Sequence, residues 1–152
     1  MVNDALEKFK ELCRREFRFL EREFRFAERP LPNEEFINQF QVQYVSEVAL
    51  VAVEGIHWGC GVDVRLGRVE PEAWEKWRHY GLEDLLILRC PQLSLIGPDG
   101  FSVSRDQAFQ LKHYADALKR CAADVLHGEF SVFPRLHDAI ERRAQQFGSS
   151  KA

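Results

Sequence analysis

The side chains with the widest chemical reach in this chain lie on one glycine-rich connection, Glu54-Gly55-Ile56-His57-Trp58-Gly59-Cys60-Gly61. His57 and Cys60 could serve as base and nucleophile, or as the first ligands of a zinc site completed by His79 or Cys90. A nucleophile also needs a third group to orient the base and a donor for the oxyanion, and the sequence names neither. The spacing matches no zinc ligand set, and Cys60 is read as a structural thiol. His113, His127 and His137 fall in or at the end of helical segments and carry no assignable carboxylate partner. The paired acids Glu34 and Glu35, Glu70 and Glu72, and Glu83 and Asp84 resemble caps and loop polarity rather than a general acid and base. No catalytic, cofactor-binding or metal-binding residue is assigned, and the chain is expected not to be an enzyme.

The aromatic residues point instead to recognition. Trp58 sits in the glycine-rich connection, and Trp74, Trp77 and Tyr80 follow soon after, with Arg65, Arg68 and Arg78 among them. Exposed rings beside arginines form the anchor sets that dominate protein interfaces. Trp74 and Trp77, three apart on a helical face, also suit a core or rim position. The expected partner-binding surface is Glu54, His57, Trp58, Asp63, Arg65, Trp74 and Trp77. Its acids, with Glu70 and Glu72, would complement a basic partner surface.

Those residues must be positioned by strands. Phe40, Val42 and Tyr44 share one parity and Gln39, Gln41 and Gln43 the other, while Val62, Val64 and Leu66 alternate with Gly61, Asp63, Arg65 and Gly67. Val48 to Val53 is apolar on both parities and reads as the central strand. The glycine-rich connection then makes a hairpin.

Helices and connections account for the rest. Leu6, Phe9, Cys13, Phe17, Leu20 and Phe24 recur every three or four residues, predicting one amphipathic helix capped by Asp4 and ending near Phe26. Its charged face holds the pairs Glu11 with Arg15 and Glu21 with Arg25. Arg25 to Arg29 extends into a short edge strand before Pro30. Glu70-Pro71-Glu72 starts a short helix that carries Trp74, Trp77 and Tyr80 and is stopped by Gly81, and Leu82 to Leu88 reads as a second, ended by Pro91. Gln92 to Ser104 reads as a loop. Ser104 and Gln107 predict the capping box of a helix carrying Ala108, Leu111, Ala115, Leu118, Ala122 and Val125 to a glycine cap at Gly128. A final helix from about Phe133 carries Leu136, Ile140, Ala144 and Phe147 inward.

The 152 residues suit one domain over 1–147, with 148–152 as a frayed polar tail. A net charge of −3 provides no basic field for nucleic acid or an anionic membrane, and no apolar run reaches the roughly 20 residues of a membrane span. A cytoplasmic protein is expected, with its four cysteines as free thiols.

Val53 to Gly59 running into Val62 to Gly67, together with Tyr114 to Asp116 and Asp124 to Phe133, resembles small bacterial proteins that accompany secreted polymorphic toxins as immunity proteins. The resemblance spans roughly residues 40 to 145. It implies an α+β protein that binds and blocks a protein partner, and it carries over no catalytic position. The expected fold is α+β: an N-terminal helix, a three- to four-stranded antiparallel meander, and C-terminal helices packed on one sheet face. The expected function is a protein-binding module that occludes a cognate toxin. The alternative is a small enzyme or ligand-binding domain with a pocket between sheet and helices near His57 and Cys60. A third reading is self-association through an edge strand or the Trp74 and Trp77 face.

Overall fold

A computed structural model describes residues 2–31, 37–56, 61–70, 75, 79–96 and 106–149. Two helical segments, α1 (Val2–Glu16) and α2 (Arg18–Glu23), precede a sheet of β1 (Ala27–Arg29), β2 (Gln41–Val45), β3 (Ala49–Ile56), β4 (Gly61–Arg68) and β5 (Tyr80–Gly81). Then come α3 (Leu82–Arg89), a 3₁₀ turn at Pro91–Leu93, α4 (Gln107–Cys121), α5 (Ala123–Leu126) and α6 (Phe133–Ser149). The five strands pair antiparallel in sequential order, so the expected α+β meander is present with β3 at its centre.

Alternation explains how the sheet splits into two faces. Val42, Tyr44, Val51, Val53, Val64 and Leu66 turn inward into one apolar cluster. Phe9 and Cys13 of α1, Phe17 between α1 and α2, and Leu111 and Leu118 of α4 complete that cluster. Burying each large apolar side chain there contributes about 1.5–3 kcal/mol. Gly55 lets this packing close over the end of β3: a Cβ there would come within 3.3 Å of both Phe9 and Gln107. Leu82, Leu85 and Leu86 of α3 bring its inner side into the same cluster.

Several boundaries differ from the periodicity. The first helix breaks at Phe17, whose ring is fully buried, and resumes at Arg18. Arg15 pairs with Glu16, and Arg14 reaches across to Glu28 of β1. Tyr80 and Gly81 are not the end of a helix but a strand paired with Leu66 and Arg65. The buried Tyr80 ring packs on Phe133 at 4.7 Å, a tertiary contact that overrides the local glycine stop. Asp106 caps α4 by accepting from the Phe109 N–H, whereas the expected cap Ser104 lies outside the described residues. That long helix also breaks at Ala122 before Gly128 ends it. On α6, Leu136 is buried as expected but Ala144 is exposed. No described helix is long and apolar enough to cross a membrane.

Two backbone positions test the local argument. Arg25 is held at φ +62 where the chain leaves α2, with the Phe26 N–H bonded to the Leu20 carbonyl. Gly128 has φ +90, and a Cβ there would meet Val48 Cγ2 at 2.7 Å. Arg25→Gly should therefore stabilise the fold by about 0.5–1 kcal/mol, and Gly128→Ala should cost about 1–3 kcal/mol. Chemical denaturation of both variants beside the parent checks the two signs.

Candidate functional site

The face of the sheet opposite the apolar cluster runs from an apolar row, Val45, Leu50 and Gly67, to polar rows towards the other end of the central strands. Gln41, Glu54 and Asp63 stand directly opposite one another on β2, β3 and β4. The next row reads Arg29, Gln43, Ala52, Arg65 and Gly81 across all five strands. An acidic row thus lies beside a row with arginine near each end.

Hydrogen bonds fix the β1 and β2 side of this face. Arg29 Nε and Nη2 donate to Gln43 Oε1 at 3.0 and 2.6 Å. Gln43 Nε2 donates to Gln41 Oε1 at 2.6 Å, and Gln41 Nε2 donates to the Asn38 carbonyl at 3.1 Å. Asn38 Nδ2 in turn donates to the Gly55 carbonyl at 3.1 Å. This directed chain holds the two glutamines in fixed orientations beside Glu54. The same residues, with Pro30, Ile37 and Glu54, line an open cleft of about 560 Å³.

The β3 and β4 side carries the charge. Glu54 and Asp63 are opposed carboxylates on neighbouring strands, the pairing that destabilises a sheet when both are ionised. Partial burial raises the pKa of Glu54, repulsion from Asp63 raises it further, and Arg65 opposes both. Burial likewise raises that of Asp63, Arg65 acts against it, and Asp84 and Glu83 add to it. The Arg65 to Asp63 contact is 3.9 Å between half-exposed groups, too long and too wet to neutralise the pair. Arg65 Nη2 donates to the His79 carbonyl at 3.2 Å. Gly81 leaves room for this arrangement, since a Cβ there would lie 3.3 Å from Arg65 Nη1 and 3.1 Å from Asp84 Oδ2. Asp84 continues the alternation of charge by pairing with Arg143 of α6.

Of the residues expected to bind a partner, Glu54, Asp63 and Arg65 are brought together here. His57, Trp58, Trp74 and Trp77 lie outside the described residues, as does Cys60. Tyr80 is buried rather than offered to a partner. Arg68 also turns inward, bonding Glu75 Oε1 at 2.6 Å and stacking on Phe130 and Phe133 at 4.7 and 5.5 Å. His113 Nε2 lies 2.6 Å from the Leu93 carbonyl, and the His127 ring packs on Phe24 at 4.8 Å. Cys90, considered above as a metal ligand, instead touches Cys121, and the described residues contain no group of three His, Cys, Asp or Glu placed to hold a metal. Sequence reasoning missed Arg29, Gln41 and Gln43 as members of the site. The glutamine alternation placed two of them on the outer parity, but only the register puts them beside Glu54.

Because both folded-state pKa values are raised, the carboxylate pair penalises folding at neutral pH and the penalty fades as pH falls through those values. Glu54→Gln with Asp63→Asn should raise neutral-pH stability by about 0.5–1 kcal/mol. The gain over the parent should vanish towards pH 4, near the ordinary carboxylate range. Denaturation midpoints measured across the acid limb check the sign.

Comparison of the chain with protein-family models, curated proteins and solved structures finds no significant match, so the functional argument stands on this geometry.

Proposed function

We propose that the chain is a protein-binding module whose polar sheet face docks on a basic surface of a partner protein. The observation that carries this reading is the Glu54 and Asp63 pair, two partly desolvated carboxylates set opposite each other, with Arg65 one row away and 3.9 Å from Asp63. A cation from a partner would relieve that repulsion on contact, so the site gives up stability alone and regains it in the complex. Arg29 and Arg65 flank the acids and would restrict the register of docking by repelling a misplaced basic group. A cytotoxic enzyme with a cationic cleft for an anionic substrate is the kind of partner such a face would cover. Occlusion of that cleft is the immunity-type inhibition implied by the resemblance.

A second reading rests on the cleft beside Glu54. Its walls carry a guanidinium and three side-chain amides, which suits a small polar ligand better than an apolar one. The two readings separate on size of partner and on salt. Affinity capture from host lysate and secreted fractions identifies a partner, and titration of that purified protein measures the face. The Glu54→Gln, Asp63→Asn double variant, folded and no less stable than the parent, should bind about tenfold or more weakly, with a shallower salt dependence. Unchanged affinity would remove the sheet face from the interface. Retained partner binding with a small-molecule shift of the melting temperature would favour the cleft.

A further inference from the structure

Cys90 and Cys121 meet where α3 and α4 end. Cys90 follows the last residue of α3 and Cys121 is the last residue of α4. Their sulfurs lie 2.8 Å apart, and both are free thiols. That is closer than the about 3.5–4.0 Å at which even two carbon atoms rest in contact. A covalent bond, at about 2.05 Å, lies within less than ~1 Å of further approach.

The surroundings hold the two thiols in place. The Cys90 N–H donates to the Leu86 carbonyl at 2.7 Å, and the Cys90 carbonyl accepts from the Leu93 N–H at 2.9 Å. Arg89 Nη1 donates to the Cys121 carbonyl and to Asp124 Oδ1, both at 2.8 Å, while Nη2 donates to Asp124 Oδ2 at 2.7 Å. One guanidinium therefore ties the end of α3 to the end of α4 beside both sulfurs. Both cysteines are half-buried, whereas Cys13 is buried and its thiol is pushed up to about 12 by that burial. Within the pair the roles differ, because the Cys121 thiol donates towards Cys90 Sγ. Burial, then the contact with Cys90, pushes the Cys121 thiol up to about 11.

The geometry points to Cys90 and Cys121 as an oxidisable dithiol, a site where a small peroxide converts the two thiols into a disulfide joining α3 to α4. Cys90 Sγ, the sulfur that receives the hydrogen bond, attacks one peroxide oxygen as a thiolate. The O–O bond breaks, one oxygen leaves as water after taking up a proton, and Cys90 becomes a sulfenic acid. Cys121 Sγ then attacks the Cys90 sulfur, its proton and the departing hydroxyl leave as a second water, and the S–S bond forms. The dithiol gives up two electrons and the peroxide accepts them.

The test uses the full chain, fully reduced and desalted, treated with one equivalent of hydrogen peroxide and then alkylated. The expected product has lost two hydrogens and two alkylatable thiols, and its peptide map links Cys90 to Cys121. A thiol reductant restores both. Cys13→Ser should leave this cross-link intact, while Cys121→Ser should stop at a Cys90 sulfenic acid that a carbon nucleophile traps. Both thiols remaining alkylatable would overturn the proposal. So would a cross-link to Cys13, to Cys60 or between chains, or oxygen addition at Cys90 without a cross-link in the parent. The parent's peptide map decides the matter even where a serine variant fails to fold.

Discussion

The pairing of β3 with β4 sets the rest of the molecule. It runs from Ala49 opposite Arg68 to Ile56 opposite Gly61, eight rungs in unbroken register. Because side chains alternate, a slip of one residue on either strand would send its inner valines to the outer face and its carboxylate into the apolar cluster. Burying an unpaired carboxylate costs far more than any neighbouring choice of rotamer, so the acids of the outer face help to enforce the register that the inner valines favour. The polar rows are thus a structural constraint as well as a surface.

Much of this fold was legible in the residue pattern. The strict alternation of β2 and β4, and the two-sided apolar run of β3, identified three strands and the central one. The helical stripes marked α1, α4 and α6, and an apolar run opened by Glu83 and Asp84 marked α3. What stayed hidden was decided at a distance. A strand of two residues has no period to detect, and Tyr80 is fixed by its packing on Phe133, far along the chain. The inward turn of Arg68 depends on Glu75 and on two rings of a later segment, none of which spacing could reveal. In the site, Glu54, Asp63 and Arg65 could be singled out one by one. Their grouping with Arg29 and Gln43 required the register of five strands.

Helix α3 links the two chemically distinctive regions. At its first turn, Glu83 accepts from the Ser94 hydroxyl at 2.7 Å, the Leu95 N–H at 2.8 Å and the Tyr114 hydroxyl at 3.2 Å, tying the chain after the 3₁₀ turn to α4. Asp84 beside it contributes to the field at Asp63. At its far end stand Arg89 and the Cys90 thiol. Eight residues of helix span only about 12 Å, so the charge-rich face and the thiol pair share one short rigid element.

The sheet's first edge has a consequence for life in a crowded solution. A strand as apolar as β3 would template pairing between chains if it lay at a margin, but here it is shielded by β2 and then by β1. The edge is only three residues long, all of them exposed, and Glu28 at its centre is gripped at both carboxylate oxygens by Arg14, at 2.9 and 3.0 Å. A short, charged, side-chain-bolted margin offers too few backbone groups for another chain to extend, and so guards the protein against strand-by-strand aggregation.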